Sequence, residues 1–220
     1  MKIGFFDSGI GGTTILDAVK KVLPGEEYKY IADTKNCPYG EKTAEELKVI
    51  ADACARELVD WGAQIIVIAC NTATTRCIAY LRERYPGVQF VGTEPAIKVA
   101  TDSGAKNILV MATPSTVTSE RMRVLINDNR KPGQDIELLA CPGLASTVEK
   151  YYGTDDCRPI IDLLGRLFLG VATNPEVIVL GCTHYSLIKD YIRDFYPRAR
   201  LVDGCEGVAR RVKALGLVSK

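Results

Sequence analysis

Histidine is almost missing from this chain. His184 is the only one, beside one tryptophan and three methionines. No two cysteines stand as CxxC. Together these gaps exclude the usual ligand spacings of a structural zinc site. Charge of one sign is not in excess either. Lys+Arg is 28 and Asp+Glu is 27, a net charge of +1. That balance gives no broad electrostatic pull toward nucleic acid or a membrane. No run reaches the ~20 apolar residues of a membrane span. Residues 159–172 come nearest, and Asp162 and Arg166 interrupt them. The opening MKIGFFDSGIGG has no signal-peptide core and reads as a first strand. The glycine-rich stretch 7–12 is neither GxGxxG nor a Walker loop, since the phosphate-binding Lys-Ser/Thr does not follow it.

What is plentiful is cysteine, with eight in 220 residues. A chain of this length has room for a real core, so a disulfide framework is not needed. The plain reading is a reduced, cytoplasmic protein whose thiols are mostly small core hydrophobes. Apolar content of 47% and charged content of 25% suit an ordinary globular protein.

Strand-like and helix-like stretches alternate throughout, which predicts an α/β fold with mainly parallel strands. Candidate strands are 2–6, 27–32, 64–69 and 89–92, then 107–111, 136–139, 177–180 and 200–202. The clearest helix spans 43–61. It opens on the capping-box pair Thr43 and Glu46, and apolar residues recur at helical spacing, Cys54 among them. Four strands followed by four strands suggest two similar open-sheet halves joined near Glu94-Pro95, with loops facing across a cleft.

Two segments echo each other within that frame. IIVIACNTAT at 65–74 and VIVLGCTHYS at 177–186 each carry a β-branched run, one small residue, a cysteine and a polar cluster. Each cysteine therefore falls just past a strand's carboxyl end, where open α/β sheets bind ligands. Thiols at two equivalent places fit a two-base proton transfer. At a helix N-terminus a thiol's pKa drops below its free value of about 8.5. His184, two residues after Cys182, reads either as a satisfied structural histidine or as a partner of that thiol. The loop Asp7-Ser8-Gly9-Ile10-Gly11-Gly12 reads either as an anion-binding turn or as a tight connection capped by its own side chains. The polar stretch Asp33–Gly40 is a further candidate loop, and Thr113–Thr116 and Cys141-Pro142-Gly143 are weaker ones.

Taken together, FDSGIGG (6–12), ADTKNCPYG (32–40), ACNTAT (69–74), GTEPA (92–96) and LGCTHY (180–185) resemble the glutamate racemases of the cofactor-independent aspartate/glutamate racemase superfamily. The segments keep that family's order over most of the chain. The resemblance implies two similar, mainly parallel α/β domains with the active site in the cleft between them. Their expected bounds are 1–93 plus 207–220 for the first and 94–206 for the second. It implies interconversion of L- and D-glutamate without cofactor or metal, supplying D-glutamate for peptidoglycan, by a cytoplasmic homodimer with no nucleic-acid or membrane partner. Cys70 and Cys182 would be the acid and base on opposite faces of the substrate, with Asp7, His184 and Glu149 assisting. Asp7, Ser8, Tyr39, Gly40, Asn71, Thr72, Thr116, Thr183 and His184 would hold the substrate. The alternatives are a racemase for aspartate or another amino acid, or a silent amino-acid-binding member. The sequence departs from the family at its end, Lys220, where typical members run several tens of residues further. It also departs at Ser186, where the family has proline, at Ser115, where it has glycine, and at Asp203-Gly204-Cys205-Glu206, where a Ser-Gly turn is usual.

Overall fold

A computed structural model describes residues 1–218. The chain divides into two compact units, Met1–Glu94 with the residues from Gly204 onward, and Pro95–Asp203. All eight expected strands form, each within one residue of its expected bounds.

In the first unit the order is β1 (Lys2–Asp7), α1 (Thr13–Val22), β2 (Glu27–Ala32), α2 (Ala44–Asp60), β3 (Ile65–Ile68), α3 (Asn71–Arg84) and β4 (Gln89–Gly92). The strands lie side by side as β2-β1-β3-β4, every pair parallel. Such a sheet is covered on both faces, so its central strands are apolar between their ends. All four residues of β3, Ile-Ile-Val-Ile, are buried. The pleat divides β1 between two cores. Ile3 and Phe5 face α1, while Phe6 packs with Leu47, Ala51 and Leu58 of α2 and Cys77 and Leu81 of α3. Helix α2 starts where its capping box predicts. Thr43 Oγ1 accepts from Glu46 N, and the Glu46 carboxylate accepts from Thr43 N.

The second unit repeats the scheme. It runs α4 (Ile97–Asp102), β5 (Asn107–Ala112), α5 (Pro114–Val117), α6 (Glu120–Asn129), β6 (Asp135–Ala140), α7 (Leu144–Tyr151) and α8 (Arg158–Phe168). β7 (Val177–Leu180), α9 (Thr183–Leu187), α10 (Lys189–Phe195) and β8 (Arg200–Val202) complete it. Its sheet order is β6-β5-β7-β8, again all parallel. The chain then enters α11 (Cys205–Val218), whose Val208, Ala209 and Val212 join the core of Ile3, Phe5, Ile15 and Val19 in the first unit. Helix α11 starts two residues before the join expected at 207. Among the described residues, no helix is long and apolar enough to cross a membrane.

The α2 face of the first sheet is tight enough to require glycine at one point. A Cβ on Gly4 would stand 2.9 Å from both methyls of Leu58, which is itself fully buried. Leu58→Ala is expected to cost ~2–5 kcal/mol. Gly4→Ala should also destabilise, and part of its cost should vanish in the Leu58→Ala background. A double-mutant cycle from urea unfolding checks this; strictly additive costs would refute the close contact.

Candidate active site

In a parallel sheet of order 2-1-3-4, the connections leaving strands 1 and 3 run in opposite directions, and ligands bind at that switch point. In the first unit the switch lies between β1 and β3. β1 delivers Asp7 and Ser8 there, and β3 delivers Cys70, Asn71 and Thr72. All five are buried. Asp7 is completely enclosed, and its Oδ2 accepts from Gly12 N at 2.6 Å, which closes the glycine-rich loop. Gly12 has no room for a side chain. Its Cβ would stand 2.8 Å from Ala69 Cβ and 2.9 Å from Asp7 Cβ, so this glycine lets the Asp7 loop lie against the residue preceding Cys70. The capping and ligand-loop readings of Asp7 are thus compatible, since one oxygen serves the turn.

Cys70 is the extended N-cap residue of α3, at φ −143° and ψ 120°. Its carbonyl accepts the helix's first bond from Thr74 N at 2.8 Å. The exposed N–H groups at this end of a long helix favour negative charge. Among the described residues, the buried Asn71 Oδ1 has no hydrogen-bond partner. Tyr39 shares a core cluster with Cys70 and Cys54. Its hydroxyl donates to Asp33 Oδ2 at 2.7 Å, and Asn36 Nδ2 donates to the same carboxylate at 2.9 Å. Burial first, then nearby Cys54 and Asp33, push the Tyr39 phenol far above its usual range, so it stays a neutral donor. Asp33 was not among the expected site residues. The sequence signal for it was its place at the head of the polar loop Asp33–Gly40, just past a strand. Gly40 lies in the short 3₁₀ turn Tyr39–Glu41.

The second unit has its switch between β5 and β7. Cys182 is the N-cap residue of α9, with Thr183 and His184 buried behind it. Gly181 is required by close approach, because a Cβ there would meet Met111 O at 2.8 Å. His184 Nδ1 lies 3.9 Å from Cys182 Sγ, and His184 Nε2 lies 2.7 Å from Glu149 Oε2 on α7. Sulfur, imidazole and carboxylate thus form one chain. At the end of β5, Thr113 caps α5 by accepting from Thr116 N at 3.3 Å, and its hydroxyl donates to the buried Thr116 Oγ1 at 3.0 Å.

Each sheet thus presents a thiol at its switch point, and one of the two is backed by an imidazole–carboxylate pair. The Asp/Glu/Hydantoin racemase model matches residues 13–212, and the chain belongs to that family. It is 40% identical to a glutamate racemase of Roseiflexus sp. over 96% of this chain and 77% of that relative. It is 39% identical to one of Sulfurovum sp., over 98% and 82%. Escherichia coli glutamate racemase, solved with L-glutamate and the activator UDP-MurNAc-Ala, superposes with a TM-score of 0.85 at 32% identity, covering 96% of this chain and 80% of that one. The Francisella tularensis glutamate racemase, solved with D-glutamate, gives 0.81 at 26% identity, covering 99% and 81%.

Three other thiols lie in the cores of the two units. Burial pushes Cys54 and Cys141 up to about 12 and Cys77 to about 11. A folded-state value raised above the ordinary 9.0 means their contribution to stability is intact below pH 9.0 and is lost as the pH climbs toward 11–12. Iodoacetamide at pH 7.5, read peptide by peptide, should leave these three unmodified in the folded protein and label them in denaturant. Resistance to urea should fall steadily above pH 9.0. Rapid labelling of Cys77 in the native state would contradict its burial.

Proposed function

We propose that this protein is a glutamate racemase that interconverts L- and D-glutamate through two thiols, Cys70 and Cys182. The observation that carries this is the matched pair itself, one cysteine at the switch point of each of two sheets of identical strand order. The two relatives solved with L- and D-glutamate support a family that accepts both hands of one substrate. By the same reading the D-glutamate formed serves peptidoglycan synthesis.

The chemistry follows from the substrate. One sulfur, as thiolate, removes the Cα proton; the other, as thiol, gives its proton to the opposite face. The first ends as thiol and the second as thiolate, and the reverse reaction exchanges the roles. Every proton moves between carbon and sulfur, so the scheme calls for no cofactor. Positioned acid–base groups contribute ~10²–10⁴-fold, and polar groups around the carbanion-like transition state supply more.

Asp7 assists Cys70 from the neighbouring loop. His184, aligned by Glu149, holds or releases the proton of Cys182. Asn71 Oδ1, a buried acceptor, suits the substrate ammonium. Ser8, Thr72, Thr116 and Thr183 offer hydroxyls to the carboxylates. The Tyr39 hydroxyl is engaged by Asp33, so the Tyr39-Gly40 turn would contribute its backbone instead.

Incubation with L-glutamate in deuterium oxide tests this directly. The wild type should form D-glutamate and exchange the α-proton, with no added cofactor and with no effect of a chelator. Cys70→Ser and Cys182→Ser should each lose at least ~100-fold in racemisation. Full activity in either variant would end the two-thiol assignment, and turnover of L-aspartate in preference to L-glutamate would move the substrate assignment.

A further inference from the structure

The fourth residue after each thiol carries a hydroxyl, Thr74 after Cys70 and Ser186 after Cys182. Residues four apart lie on one face of a helical turn, so holding the fourth residue holds the turn that presents the first. In the first unit, Thr93 N donates to Thr74 Oγ1 at 3.0 Å, and Thr74 Oγ1 donates to Ile68 O at 3.2 Å. In the second unit, Ser186 Oγ donates to Asp203 Oδ2 at 2.9 Å. Thr93 is the first residue after β4, and Asp203 the first after β8. Both units therefore tie the thiol-bearing turn to the same place, the exit of the outermost strand. Thr74, Thr93 and Ser186 are all buried.

The second tie is charged and the first is not. The Asp203 carboxylate also holds Lys189 Nζ at 2.6 Å. The reason lies in the helices. α3 has 14 residues, whereas α9 has five and gives way to α10 at Ile188. A single turn has little stability of its own. A carboxylate that grips Ser186 at the end of α9 and Lys189 at the start of α10 fixes the junction with the stronger, charge-assisted kind of bond. Two places where this sequence leaves its family's pattern, Ser186 and the turn opening at Asp203, are thus in direct contact.

We propose that Ser186 and Asp203 are positioning residues for Cys182 and His184, and that Thr74 with Thr93 is the equivalent tie for Cys70. The role rests on the racemase reading for its activity readout, but not for its chemical one. Ser186→Ala removes one oxygen from α9. It is expected to lower kcat for glutamate by about ten- to a hundredfold, with KM changed less than about threefold, because misplacement of an acid–base group acts on the transition state. Ser186→Thr, which restores the hydroxyl, should recover most of the loss. In the substrate-free enzyme, Ser186→Ala and Asp203→Ala should change the iodoacetamide rate of Cys182 relative to Cys70, and Thr74→Val should do the reverse.

Unchanged kcat and an unchanged Cys182:Cys70 labelling ratio in Ser186→Ala would overturn the proposal, as would both thiols shifting together in every variant. A wild type without racemase activity would defeat the functional reading alone, and the labelling ratio would still decide the tie. Should Asp203→Ala fail to fold, Ser186→Ala decides the question, since it leaves the Lys189 ion pair in place.

Discussion

In a parallel sheet, neighbouring strands whose connections depart in opposite directions leave a gap above their carboxyl ends that no helix covers. Both sheets here are built around such a gap, between β1 and β3 and between β5 and β7. Asp7, Ser8, Asn71 and Thr72 of the first unit, and Thr113, Thr116, Thr183 and His184 of the second, are buried beside those carboxyl ends. The middle of each strand that flanks a gap is apolar, so the residues able to do chemistry stand at or just beyond its carboxyl end. Asp7, Cys70 and Cys182 are in that position because the sheet stops there. The glycines that look like loop filler answer to the same constraint. Gly12 and Gly181 stand where backbone must come close to backbone or Cβ, and any side chain would force the thiol-bearing segments away.

The two thiols share a position but not an environment. Cys70 opens a long helix and lies beside a loop closed by Asp7. Cys182 opens a five-residue helix and has an imidazole and a carboxylate in line behind it. Under the proposed two-thiol scheme, such a difference does not favour one direction. The equilibrium between mirror images is fixed by symmetry, and only the separate rate constants can feel it.

Strands and the capped helix were legible in the sequence because their signals are local and periodic. β-branched runs marked β3 and β7, and Thr43 with Glu46 marked the start of α2. The cysteine twins were legible because each followed such a run. The pairing of His184 with Glu149 was not, although both residues were singled out. They are 35 positions apart and meet only when α7 packs beside α9. The bond of the Tyr39 hydroxyl to Asp33 was not legible either. Ser186 and Asp203 looked like separate irregularities. Hydrogen bonds between distant polar side chains obey no period, and a single chain carries no sign of them.

The return of α11 to the first unit has a consequence for biosynthesis. Val208, Ala209 and Val212 complete a core that begins with Ile3 and Phe5. A chain made from its N-terminus lacks the α11 share of that core until the second unit has been translated. The second unit is continuous in sequence and has all its strands earlier. The unit that is translated first therefore completes its core only after the whole second unit has been made.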